Sequence, residues 1–156
     1  MYDNKDKLNL ELNKMITYRE KAYRRYELAM EAKKVGNTNL VIEMLIPSVV
    51  PPSIYKGHYK ELFVAYRKKN KNSIKEGKVM EVIDKLKEMI KLDSEMIDLM
   101  YNNWSKSFLL PKRREYFLAQ SNIKITDIKL LLQLSIQEND NEGISLAEDQ
   151  IKKYQK

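Results

Sequence analysis

No cysteine occurs in the chain, so disulfides, thiolate metal sites and thiol nucleophiles are all excluded. On that ground the expected compartment is the cytoplasm. Histidine is nearly absent as well. The single one, His58, cannot supply the several His or Glu-x-x-His ligands of zinc or di-iron bundles. It could act as a general base with Glu61 one turn on, but a plain histidine at a helix start is the simpler expectation. The four glycines, Gly36, Gly57, Gly77 and Gly143, are too far apart for a phosphate-cradling loop. "ENDNEG" at Glu138–Gly143 lacks the spaced ligands of a calcium loop and is expected to be a solvated turn. No run reaches the ~20 apolar residues that a membrane-spanning helix needs. The start, "MYDNKDKLNLEL", has no apolar core of a secretory signal. These gaps predict no metal, no cofactor, no small-molecule substrate and no catalysis.

Charge is plentiful. The chain has 29 Lys and Arg against 22 Asp and Glu, for a net +7, and such an excess invites a nucleic-acid reading. Only six of the cations are Arg, however (Arg19, Arg24, Arg25, Arg67, Arg113, Arg114), whereas bidentate readout favours Arg. The joint richness in Ile, Asn, Lys and Tyr resembles AT-rich codon use, which raises Lys without any need for phosphate. The excess is uneven: residues 36–75 carry +5, 106–125 carry +4 and 76–105 carry −3. A nucleic-acid interface would therefore use Lys60, Arg67, Lys68, Lys69, Lys71 and Lys75, with Lys112, Arg113 and Arg114.

Helical periodicity dominates the rest, and the chain reads as one all-α domain, a helical bundle over residues 1–156. Leu8, Leu12, Met15, Arg19, Ala22, Tyr26, Ala29 and Lys33 predict a long helix over about 4–35, stopped by Gly36-Asn37. Val79, Ile83, Leu86, Ile90, Asp93, Ile97, Met100 and Trp104 predict a second over about 74–104. Between them lie an expected helix at 38–46, a break at "PSVVPPS", and a helix to about Lys69 carrying Tyr59, Leu62, Phe63 and Tyr66. Those aromatics are expected in the core rather than as stacking platforms. "RKKNKNS" is then a short polar joint. Shorter helices follow over 111–120, 126–136 and 144–154. "AKKVGNTNLVIE" (Ala32–Glu43) has the outline of a helical hairpin joint, and no copy recurs at a repeat spacing of about 34 residues.

Two polar seam positions, Arg19 and Asp93, are expected to pair across the two long helices and fix register. The apolar connection holding Ile46, Val49, Val50 and Ile54 is a candidate docking segment. With eight methionines suited to adaptable contacts, the expected function is a non-catalytic interaction protein, an adaptor or assembly subunit that could self-associate. Nucleic-acid binding is the alternative.

Overall fold

The computed structural model describes residues 18–104 and 113–154, with side chains for all of these but Tyr18, Trp104, Arg113 and Arg114. Seven α-helices make up the described chain, with no strand among those residues: α1 (Tyr18–Lys34), α2 (Thr38–Leu45), α3 (Lys56–Lys75), α4 (Val79–Trp104), α5 (Arg113–Gln120), α6 (Ile125–Gln137) and α7 (Asn141–Tyr154). A 3₁₀ turn, Ile46–Ser48, follows α2 where Pro47 ends the α-helical ladder. The all-α expectation holds. Residues 4–17 of the first expected long helix lie outside the described residues.

One joint is built three times. Gly36, Gly77 and Asn139 sit in the left-handed region, with φ of 76°, 78° and 57°. Each N–H reaches back three residues, to the carbonyls of Lys33, Ile74 and Ile136 at 3.1, 3.0 and 3.2 Å. The next N–H, of Asn37, Lys78 and Asp140, reaches back five, to Ala32, Ser73 and Ser135 at 2.9, 2.8 and 2.8 Å. This is the Schellman closure, which satisfies the last helix carbonyls and turns the chain sharply. A new helix starts at once each time, giving hairpins α1–α2, α3–α4 and α6–α7. Asn37 and Asp140 also cap the helix they precede, their Oδ1 atoms accepting from Leu40 N and Gly143 N at 3.2 and 3.1 Å. The hairpin joint expected at Ala32–Glu43 is thus one of three, at spacings too unequal to read as a repeat.

The core follows the periodicity. On α4, Ile83, Leu86, Ile90, Ile97 and Met100 are buried together with Val82, Met89 and Met96. On α3, Tyr59, Leu62, Phe63 and Tyr66 are at most 1% exposed, so the aromatic set belongs to the core. Burying a side chain of that size contributes roughly 1.5–3 kcal/mol. Apart from Ala22, the buried apolar residues of the described helices form one contiguous cluster.

Three expectations are corrected. Helix α3 runs on to Lys75, so "RKKNKNS" is its last two turns and the joint is only Glu76–Lys78. Lys and Asn are compatible with a helix, and the stop is set by Gly77, not by polarity. The turn expected over "QENDNEG" likewise shrinks to Glu138–Asp140, because α6 and α7 extend into it.

The Arg19–Asp93 pair is not made. Asp93 is 1% exposed, and its carboxylate accepts from Ser121 Oγ at 2.7 Å and Asn122 N at 2.8 Å. Arg19 is exposed at the start of α1, a helix that packs mainly on α2. The Asp93 seam position was filled from the α5–α6 loop instead.

Candidate macromolecular interface on α3

Helix α3 carries seven cations and one carboxylate, Glu61, beside α4, which carries six carboxylates and three lysines. At about 100° per residue, Lys60, Lys68, Lys71 and Lys75 fall within an arc of about 80° and form a stripe ~23 Å long. All four are exposed. Among the described residues, no ion pair engages any of them. Lys69 points away from this stripe and lines a hollow shared with Glu81, Asp84 and Glu88 of α4. The acidic helix therefore complements the Lys69 side and leaves the stripe uncompensated among the described residues.

Both edges of the stripe are pinned to neighbouring helices. On the α1 edge, Lys33 Nζ binds Glu61 Oε2 at 2.7 Å. Nearby, the His58 ring meets the Ala22 carbonyl through Nε2 at 3.1 Å and sits 4.9 Å from the Tyr26 ring. Burial lowers the His58 pKa below its ordinary value against the pull of the Ala22 carbonyl, and the Arg25 charge adds to the lowering. On the α6 edge, Arg67 Nε donates to Asp127 Oδ1 at 2.9 Å and Nη2 donates to Asp127 Oδ2 at 2.8 Å. Nη2 also donates to the Asn122 carbonyl at 2.8 Å. The same carboxylate accepts Lys124 N at 2.9 Å, holding the first turn of α6. Arg67 is thus committed to structure.

Between α1, α2 and α3 a cavity of about 420 Å³ opens beside the stripe. Val41, Val64 and Ala65 line it with apolar surface, and Lys33, Lys68 and Lys71 stand around it. Glu61 is the one carboxylate in its lining, and it is held by Lys33. The sequence marked Lys68 and Lys71. Lys33 and Val41 went unmarked because they join the site only when the first hairpin folds back on α3.

The remaining expected residues divide. Lys60, Lys68, Lys71 and Lys75 are gathered on one face, whereas Arg67 is held by Asp127 and Lys69 lies on the other side. Lys112 lies outside the described residues, as do the side chains of Arg113 and Arg114 at the start of α5. In the docking segment, Ile46, Val50 and Ile54 are 38%, 56% and 46% exposed. Val49 is buried at 1% and packs inward, a correction to its place in that segment. No helix among the described residues is long and apolar enough to cross a membrane. Compared with protein-family models, curated proteins and solved structures, the chain matches none.

Proposed function

We propose that this chain is a non-catalytic helical interaction protein, an adaptor or assembly subunit, whose working surface is the outer face of α3. The uncompensated stripe of Lys60, Lys68, Lys71 and Lys75 beside an apolar-lined cavity carries the reading. A face that combines exposed cations with an apolar hollow suits a protein partner, because buried apolar contact supplies affinity and charge supplies orientation and rate.

The test is a photo-crosslinking residue at position 64, with a second at position 50 on the apolar connection, in cells that make the chain. A polypeptide adduct at either position, lost on competition with the unlabelled protein, supports the reading. Adducts to nucleic acid alone, or none at either position, overturn it.

Nucleic-acid binding is the second reading, favoured by the same stripe. Against it stand the commitment of Arg67 to Asp127 and the burial of Tyr59, Phe63 and Tyr66, which removes their rings from base stacking. A labelled oligonucleotide retained at low salt, with affinity falling about one decade per decade of salt for each phosphate contacted, would favour it.

A further inference from the structure

We propose that the cavity between α1, α2 and α3 seats one apolar side chain of an acidic partner segment, in which that side chain is flanked by Asp or Glu. The inference deepens the protein-contact reading and rests on it.

Two features of the cavity point to different parts of one ligand. Its interior is apolar: Val41 is 3% and Ala65 is 5% exposed, and Val64 lies beside them. Its volume of about 420 Å³ lies in the ~300–1,000 Å³ range of ligand pockets, with room for an aliphatic or aromatic side chain. Around it, Lys68 and Lys71 have no anionic partner among the described residues. Glu61 does not neutralise them, because Lys33 holds its carboxylate at 2.7 Å. An apolar group with carboxylates on either side satisfies both features.

The stripe decides the size of the ligand. From Lys60 to Lys75 it runs ~23 Å along the helix, well past the cavity, so one carboxylate on a small amphiphile leaves most of it unused. An extended segment with several acids spans it. A polynucleotide follows such a stripe equally well but gains nothing from an apolar hollow, and phosphate does not desolvate there without cost.

The experiment uses the full chain and fluorescein-labelled synthetic peptides of about eleven residues, read by anisotropy. One series carries Leu or Phe at the centre with Asp and Glu on both sides. Controls replace the central residue by Gly, or the acids by Lys, and a deoxythymidine oligonucleotide of matched charge competes. Burial of the central side chain makes the Leu or Phe peptides at least about tenfold tighter than the Gly peptide. The double reversal K68E/K71E lowers their affinity about tenfold or more, whereas K69E, on the opposite side, leaves it unchanged. V64S, which trims the cavity wall, narrows the gap between Leu and Gly peptides. Circular dichroism confirms that each variant is folded; all the lysine changes are on exposed positions.

Equal affinity for Leu- and Gly-centred peptides overturns the proposal. An equal loss in K69E does so too, and so does an oligonucleotide that displaces every peptide. If position 64 crosslinks to a polypeptide but no acidic peptide binds, only this inference falls. If no polypeptide adduct forms at all, the underlying reading falls with it.

Discussion

Gly143→Ala should destabilise the protein, although helix propensity alone gives the opposite sign. Gly143 lies in the first turn of α7, against α6. A Cβ at this position overlaps Ser135 Oγ, stands 3.0 Å from Ser135 Cβ and comes within 3.3 Å of Asp140 Oδ2. Ser135 is 0% exposed, so its hydroxyl has no solvent to swing into, and α7 must back away from α6. Overpacking of this kind costs about 1–3 kcal/mol. Replacing a helical Gly by Ala returns up to about 1 kcal/mol. With that offset the net loss is up to about 2 kcal/mol, or up to about 8 °C in Tm for a chain of this size. Urea and thermal melts followed by circular dichroism read it directly. Ser135→Ala removes the overlapping oxygen, itself without a hydrogen-bond partner in the structure. The double variant should therefore recover part of the loss, with a coupling above about 0.5 kcal/mol. If Gly143→Ala stabilises the protein, or if Ser135→Ala rescues nothing, the close α6–α7 approach is wrong.

Asp127→Ala should cost about 2–3 kcal/mol, since it strands the partly buried Arg67 and uncaps α6. Arg67→Ala in the same background should add little, and a urea-melt cycle measures that coupling. Asp93→Asn should fall within about 1 kcal/mol of the parent, because burial already raises this carboxyl's pKa, outweighing its bonds to Asn122 and Ser121 and the Lys56 and Arg67 charges. Asp93→Ala, which leaves Asn122 N–H and Ser121 Oγ without their acceptor, should lose about 2–3 kcal/mol in the same melts. For His58 the folded pKa is lowered, so the unfolded chain takes the proton first. Its contribution to stability is then full above the ordinary histidine pKa of about 6.5 and is lost as pH falls through the lowered folded value. Melts in that window should show a smaller loss in His58→Gln; an equal loss would clear His58 of any part. Lys71→Glu should leave stability unchanged or raise it by a few tenths of a kcal/mol, because it removes like-charge neighbours one turn away. Thermal melts at low and high salt check this.

How much of this was legible before folding depends on whether a feature is local. The α4 seam was legible because Val79, Ile83, Leu86, Ile90, Ile97 and Met100 repeat with the helix, whatever they pack against. Tyr59, Phe63 and Tyr66 declared themselves as core for the same reason. Gly36 announced the first joint, since only glycine takes a left-handed conformation freely. The third joint was expected over the wider "QENDNEG", because Asn139 takes the left-handed position and, unlike Gly36, does not mark it out from its polar neighbours. The middle joint was displaced because Ile74 looked like the first residue of the next seam. It ends α3 instead, 37% exposed. Asp93 showed that it would be buried but not by whom, because its partners come from a loop after α5. In the candidate site, the lysines of α3 were visible as composition and the cavity was not. Lys33 and Val41 reach it only through the hairpin fold.

Composition accounts for the number of lysines, and placement is a separate matter. A chain biased toward Lys scatters it over exposed positions, and most of the chain fits that description. On α3 the arrangement is more specific. Arg67 and Glu61, at the two edges, are spent on holding α6 and α1. Lys69 faces the acids of α4. Lys60, Lys68, Lys71 and Lys75 share one face without an ion pair among the described residues, so neighbours such as Lys71 and Lys75 repel by roughly 0.2–0.5 kcal/mol per pair. Acids are not scarce: α4 alone carries six, and Glu81, Asp84 and Glu88 among them line the hollow on the Lys69 side. The stripe's face borders an apolar hollow and has no ion pair among the described residues, the arrangement that the proposed acidic segment would satisfy.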